Sequence, residues 1–406
     1  MNILWLSDSP LTTTGYSTIS WNVCNRLTER GHNVHYIGHN YLGQDIPPGL
    51  TLKDGTRYNF WLMGGSPKPY AQDLIMPYIK KYKIDVVVVL LDTFMCYPWI
   101  MNIDFAPAKT IFYFPSDGGG GMPLGCENIL KKVNLPIAMA KFGQRQVKEL
   151  YDIDTKYIPH AVNIKDFYPL TADEKEKCKL KYNLQGKFVV GCVQRNQGRK
   201  MPDRLLKAFK IFSKDKPDAM LFLHTDPFDM AAPFNMVEII NRYKLNNRVV
   251  FTGMCFHNSF DYKQMNEVYN TMDIFAMSTS GEGFGIPIIE AQACEIPPVI
   301  TNYTTSQELI KDNGESGLVV DLVGTEEEET PLIHSDQVID GTLTGSWNVE
   351  RGICSIKDLA NKMEILYKDK KLREQLGKNG RKKVTEFYNW DKVGKEWIDT
   401  IEELVK

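Results

Sequence analysis

Residues 85–91 read Asp85-Val86-Val87-Val88-Val89-Leu90-Leu91. Four successive β-branched residues are stiff at χ1 and suit an extended backbone. With no polar residue among them, a strand built from this run has to be covered on both faces, as in a parallel sheet flanked by helices. The beginning of the chain points the same way. Residues 2–6 read as a short buried strand and 7–15 as a polar loop. Residues 16–28 place Ile19, Val23 and Leu27 four apart on one helix face, Gly31 suits a helix stop, and 34–38 read as a second strand. This strand–loop–helix–strand opening starts a doubly wound sheet, whose ligands bind beyond the carboxyl ends of its strands.

The alternation runs on and then begins again. A helix over 71–82 and strands at 110–114, 136–140 and 156–158 complete a first sheet. Residues 159–169 form an irregular link bounded by Pro159 and Pro169, and a charged segment follows over 170–187. A second series then opens with strands at 188–193, 220–224, 249–251, 274–277, 298–301 and 318–320, with helices from Pro202 and over 262–271. At 406 residues the chain exceeds one ordinary core. Two doubly wound α/β domains are expected, 1–169 and 170–387. From 321 to about 354 the pattern lapses, with Glu326 to Glu329 in succession and an isolated Trp347; disordered surface, an oligomer contact and a lid are the readings of so long a loop. Helices return over 355–367, 372–387 and 390–404.

Chemistry-bearing residues cluster at the strand ends. The most informative stretch is Ser280-Gly281-Glu282-Gly283-Phe284-Gly285-Ile286-Pro287-Ile288-Ile289-Glu290-Ala291. Three glycines in five residues let a ligand approach the backbone, and Pro287 suits the first turn of a helix. Glu282 is then expected in the loop and Glu290 on the helix. Free amides at the helix start form an anion site, and two carboxylates beside it can hold sugar hydroxyls. After strand 188–193 come Gln194-Arg195-Asn196-Gln197-Gly198-Arg199-Lys200. Arg195 and Lys200, five apart across a glycine-containing turn, can converge on one phosphate, or else are surface cations near a turn. Thr252, Gly253 and Met254 follow strand 249–251 and are placed to border a nucleotide base.

In the first half, Gly15 closes the loop after the first strand; it either lets the backbone approach a phosphate or makes a tight turn. Strand 110–114 ends in Pro115-Ser116-Asp117 and four glycines, a mobile loop in which Asp117 is the one strong acceptor, a substrate ligand or a turn former. His160, in the link, is a packed structural histidine or a ligand contact. Lys80, Lys81 and Lys83 form a solvated helix end or touch an anionic membrane surface.

Together these motifs resemble the retaining GT-B glycosyltransferases, specifically glycosyltransferase family 4. The likeness covers nearly the whole chain. It is carried by Glu282-x7-Glu290 in its Gly-Phe-Gly-Ile-Pro setting, by Arg195 and Lys200, by the Gly15 loop, by the 159–169 link and by Phe387-Tyr388-Asn389-Trp390. It implies two Rossmann-like domains facing across a cleft, with the C-terminal helix 388–406 crossing back to the first. On the matching positions, Glu290 is implied as the donor-ribose ligand and Glu282 as the residue at the transferred sugar. Gly283, Phe284, Gly285 and Ile286 would contact sugar and diphosphate, Arg195 and Lys200 the diphosphate, and Gly15 would close over it. The implied activity is retaining, metal-independent transfer of a sugar from a nucleotide diphosphate-sugar, a UDP- or GDP-sugar, to a glycan, lipid-linked or small-molecule acceptor. Three departures stand out. No histidine follows the fourth strand, where Ser116-Asp117-Gly118 stand; the link reads Pro159-His160-Ala161-Val162 where relatives often have Pro-Asn-Gly-Val; and the segment after Asp321 is longer. Other GT-B chemistries, such as a phosphorylase or an epimerase, and a non-catalytic nucleotide-sugar-binding protein are the alternatives.

The remaining signals bound the setting. A formal net charge of -2 gives no reason to expect nucleic acid. The eight cysteines form no C-x-x-C pair, so no zinc or redox motif is expected and a reducing cytoplasm is the simplest setting, with peripheral contact at the inner membrane face as its variant. No Asp-x-Asp metal motif occurs in a matching context, and no cofactor is expected. Neither a signal peptide nor an apolar run of about 18 residues is seen.

Overall fold

The computed structural model describes every residue except 13, 40, 52–56, 67, 69, 124, 229–233, 254–259 and 332–345, and only the backbone of 328–331 and 346–348. The chain forms two compact units. The first comprises 1–160 and 390–406 with the described part of 327–349; the second comprises 161–326 and 350–389.

The first unit runs β1 (Asn2–Asp8), α1 (Gly15–Glu29), β2 (Asn33–His39), β3 (Leu50–Thr51), β4 (Arg57–Tyr58), β5 (Trp61–Leu62), α2 (Gln72–Tyr82), β6 (Val86–Val89), α3 (Thr93–Ile100), β7 (Lys109–Phe114), α4 (Cys126–Lys132), β8 (Leu135–Ala138), α5 (Lys141–Tyr151) and β9 (Lys156–Tyr157). Its sheet has the order β5-β2-β1-β6-β7-β8-β9, parallel throughout. The valine run occupies β6 and is wholly buried, as a strand with helices on both faces must be. Ile19, Val23 and Leu27 turn α1 onto the sheet.

The second unit runs α6 (Ala172–Leu180), β10 (Phe188–Val193), α7 (Pro202–Phe212), β11 (Ala219–His224), α8 (Met236–Tyr243), β12 (Val249–Phe251), α9 (Tyr262–Asn270), β13 (Ile274–Met277), α10 (Ile286–Ala293), β14 (Pro298–Thr301), α11 (Ser306–Ile310), β15 (Leu318–Val320), residues 322–326 of β16 (Leu322–Pro331), residues 350–354 of β17 (Ser346–Cys354), α12 (Ile356–Lys368) and α13 (Lys370–Phe387). Its main sheet has the order β12-β11-β10-β13-β14-β15, again parallel. The inward residues expected for α7, Leu205, Leu206, Phe209 and Phe212, are all buried.

The last helix, α14 (Trp390–Leu404), belongs to the first unit. Its Trp397 is fully buried, with ring centroids 5.5 Å from Trp5 on β1 and 4.9 Å from Tyr113 on β7. Arg26 of α1 lies over the Trp390 ring at 5.5 Å.

Two features differ from the sequence reading. The division falls at 160/161 rather than 169/170, because the link packs on the second unit. Val162 N–H donates to Tyr388 O at 2.9 Å, Arg381 donates to Phe167 O at 2.7 Å, and Tyr168 N–H donates to Asn266 Oδ1 at 3.0 Å. The segment 321–354 is no simple loop: β16 and β17 pair in a two-stranded sheet. Tyr303 anchors it by donating to the Glu350 carbonyl at 2.9 Å, and Gly352 N–H donates to Ser280 O at 3.0 Å.

Candidate active site

In the second unit the strand order reverses between β10 and β13. Connections from the two strands leave in opposite directions, so the carboxyl ends open a crevice there. The loops after β10 and β13 are therefore the ones that meet. They are stapled: Ser280 donates to the Arg199 carbonyl from its N–H at 2.7 Å and its hydroxyl at 2.8 Å, and Ser278 Oγ donates to Met201 O at 2.6 Å. Between strand and helix, Gly198–Lys200 makes one 3-10 turn, and Met201 at φ +46° redirects the chain into α7.

That turn delivers Lys200 onto Glu282. The Lys200 ammonium lies 2.5 Å from Glu282 Oε1 and 2.6 Å from Oε2, and both side chains are buried. Arg199 Nη1 lies 3.3 Å from Glu282 Oε2 and donates to Gly281 O at 2.8 Å. Burial alone would raise the pKa of Glu282. The Lys200 and Arg199 charges and the Lys200 hydrogen bonds outweigh it and hold the carboxyl at about 2. Two cations around one carboxylate leave a net positive centre, suited to a further anion.

Helix α10 starts at this centre. Gly285 precedes its first residue at φ +104°, a conformation glycine takes at little cost. Phe284 is buried against the Tyr388 ring at 5.9 Å, and its carbonyl accepts from Thr305 Oγ1 at 2.7 Å. The amides of α10's first turn thus begin four residues after the Lys200-bound Glu282, and the helix dipole adds partial positive charge at that end. One turn further, Glu290 Oε2 accepts from the buried Tyr269 hydroxyl at 2.6 Å. Burial raises the Glu290 pKa to about 7, with the Tyr269 hydrogen bond acting in the opposite direction.

The structure thus brings Lys200, Glu282, Phe284 and Gly285 together, with Glu290 on the adjoining helix. Gly283 and Ile286 lie partly buried in the same segment. Arg195 is exposed, and the cation that joins Lys200 at Glu282 is Arg199. Met254 lies outside the described residues. Tyr269 carried no motif; its signal was an apolar position on the helix before β13.

The first unit has its own reversal, between β1 and β6. Gly15 is there, the first residue of α1 behind a Thr14–Ser17 capping box. Beside it, Tyr16 donates to Asp92 Oδ1 at 2.7 Å; burial, then Asp92, and then Asp117 and Asp8, raise its pKa. Asp117 is thus near Tyr16, whereas Asp92 and Tyr16 were missed. The four-glycine loop, expected to be mobile, is held by Gln146, whose amide donates to Gly118 O and Gly121 O at 3.0 Å. His160 is structural: it is buried, its Nδ1 is 2.7 Å from the Tyr113 hydroxyl, and burial lowers its pKa to about 3. Among the described residues, no group of three or more His, Cys, Asp or Glu side chains is placed to hold a metal, and no helix is long and apolar enough to cross a membrane.

Two parallel Rossmann-like sheets, one carrying this site at its switch point, define a GT-B fold. Over 100% of its length the chain matches the sucrose-phosphate synthase of Thermosynechococcus elongatus, covering 99% of that structure at a TM-score of 0.75 and 18% identity. HepE of Anabaena, solved in complex with UDP-glucose, matches 99% of this chain and 100% of its own at a TM-score of 0.72 and 15% identity. Residues 174–327 match the family model for glycosyl transferases group 1. Residues 174–327 are thus similar to the group 1 glycosyl transferases, and the chain as a whole shares the GT-B fold of these solved structures. The capsular polysaccharide biosynthesis glycosyltransferase CapM of Staphylococcus aureus is 35% identical over 116 residues, 29% of this chain and 22% of the relative. Across the curated relatives the chain spans about half of their length or less.

Proposed function

We propose that the chain transfers a sugar from a nucleotide diphosphate-sugar to an acceptor hydroxyl, with retention at the anomeric carbon and without a metal. One observation carries the reading: Lys200, Arg199 and the start of α10 concentrate positive charge at the switch point, beside two glutamates. The matched domain contains Arg195, Lys200, Glu282 and Glu290. The UDP-glucose complex of HepE supports a UDP-sugar donor, and a relative whose name specifies GDP-mannose supports a GDP-sugar.

In this reading negative charge grows on the leaving diphosphate as the glycosidic bond breaks. Lys200, Arg195 and the amides of α10 face that charge; one preorganised donor of this kind is worth about 3 kcal/mol. Glu290 accepts from the ribose hydroxyls, and Glu282 faces the transferred sugar as a positioning group. Asp92, Tyr16 and Asp117 receive acceptor hydroxyls on the first unit. The acceptor is a glycan, a lipid-linked sugar or a small molecule. A reducing cytoplasm fits the seven described cysteines, all free and buried. For a lipid-linked acceptor, the exposed Lys80, Lys81 and Lys83 supply peripheral membrane contact.

The test is nucleotide release from a panel of UDP-, GDP- and ADP-sugars, with and without candidate acceptors, followed by NMR of the product's anomeric centre. Release from at least one donor, with retained configuration, is expected. No release from any donor, or inversion, overturns the reading.

A further inference from the structure

Arg199 sits in the 3-10 turn beside Lys200, yet the two cations are used differently. Lys200 points its ammonium at both Glu282 oxygens from a buried position. Arg199 keeps more than a quarter of its side chain exposed, at 27%, and divides its guanidinium between Gly281 O at 2.8 Å and Glu282 Oε2 at 3.3 Å. Its carbonyl meanwhile accepts both Ser280 donors. Arg199 therefore grips the 280–282 loop by main chain and side chain together.

An incoming diphosphate competes with Glu282 for Lys200, whose ammonium has only three N–H groups. A carboxylate 4% exposed cannot stay charged and fixed without a remaining cation. We propose that Arg199 is a positioning residue, holding the Gly281 carbonyl and the Glu282 carboxylate in place when Lys200 turns to a bound diphosphate. This rests on the donor reading above. Among the described residues, the charged and titratable groups around the Glu282 carboxylate are Lys200 and Arg199 from the turn and the Cys192 thiol from β10. Removing the Arg199 charge leaves Glu282 without a committed cation once donor is bound.

The experiment compares Arg199→Gln, which keeps an N–H donor for Gly281 O without the charge, with Arg199→Lys, which keeps the charge. Folding is checked by thermal melting, donor affinity by calorimetry with UDP and GDP, and kcat is followed from pH 5 to 8. For Arg199→Gln, kcat should fall at least about tenfold with nucleotide affinity within about twofold, and a new acid limb should appear in the kcat profile. Arg199→Lys should recover most of kcat and lose that limb. A kcat within twofold of wild type with an unchanged pH profile overturns the proposal. So does a tenfold loss of nucleotide affinity at unchanged kcat, which would make Arg199 a phosphate ligand. If Arg199→Gln does not fold, Arg199→Lys decides alone: a wild-type pH profile supports the proposal and an acid limb in it contradicts it. Should the wild type turn over no donor, the functional reading falls. The 13C titration of the Glu282 carboxyl in the UDP- or GDP-saturated protein then still judges Arg199. Its midpoint should rise in Arg199→Gln, and an unmoved midpoint overturns the proposal.

Discussion

The Lys200 ammonium lies between the two carboxylate oxygens of Glu282, at 2.5 and 2.6 Å, with both side chains out of water. A buried pair of this kind is weak evidence for stability, since desolvation offsets much of the attraction, but removing one partner strands the other. Glu282→Gln leaves Lys200 buried beside a neutral amide and is expected to cost about 3 kcal/mol. Lys200→Met/Glu282→Gln together should recover most of that loss. Denaturant melts of the two variants check this; equal stability of single and double variants would contradict it.

Glu290 sets a pH dependence in the opposite sense from Glu282. Its folded-state pKa of about 7 lies above the usual carboxylate range. A raised value favours the folded state while the group is protonated, so this contribution is full below about pH 4 and lost as pH rises towards 7. Glu290→Gln should therefore melt higher than wild type at pH 8 and close to it at pH 5.

In the proposed function the same group would make donor binding pH-dependent. Only the ionised carboxylate has its full acceptor capacity for ribose hydroxyls. Nucleotide affinity is expected to rise more steeply between pH 6 and 8 in the wild type than in Glu290→Gln, where the terminal phosphate of the nucleotide still titrates but residue 290 does not. Calorimetry with UDP and GDP at pH 6 and 8 measures both; the same pH dependence in the wild type and in Glu290→Gln would contradict the assignment.

Gly285 cannot be replaced without strain. Its φ is +104°, and a Cβ there would lie 2.8 Å from Ile288 Cδ1 and 3.5 Å from Leu309 Cδ1. Gly285→Ala is expected to cost about 1–3 kcal/mol and to displace the start of α10. A lowered melting midpoint together with weakened nucleotide binding is the expected outcome.

On the first unit, Asp92→Asn removes the charged acceptor of the Tyr16 hydroxyl. The KM for acceptor should rise at least about tenfold while nucleotide affinity stays within twofold, since loss of a charge-assisted bond costs about 1.5–3 kcal/mol. An unchanged acceptor KM would remove Asp92 from the acceptor site.

Much of this was legible because it rests on short-range pattern. The valine run, the α1 and α7 faces and the Glu282-to-Glu290 spacing each follow from apolar period or from glycine and proline at a strand end. Arg199 was not legible as the partner of Lys200. Which of three neighbouring cations turns inward is set by the 3-10 turn and by Met201 at positive φ. Tyr269 and Tyr16 reach their carboxylates from helices distant in sequence, at 21 and 76 residues' separation. Helix α3 hid because Thr93–Ile100 is apolar on all sides and carries Pro98, so it shows no helical period. The β16–β17 pair lay in acidic, glycine-containing sequence with little apolar alternation, and its anchors are the carbonyl and amide groups of Glu350 and Gly352.

The proposed function has the switch point of the second unit hold a nucleoside diphosphate through Lys200. Calorimetric titration of wild type and Lys200→Ala with UDP and with GDP at pH 8 tests it most directly. At least one nucleotide should bind the wild type, and a folded Lys200→Ala should bind it at least about tenfold more weakly, as loss of a charge-assisted contact requires. Affinities within twofold of each other, or no binding of either nucleotide to the wild type at millimolar concentration, would contradict the account.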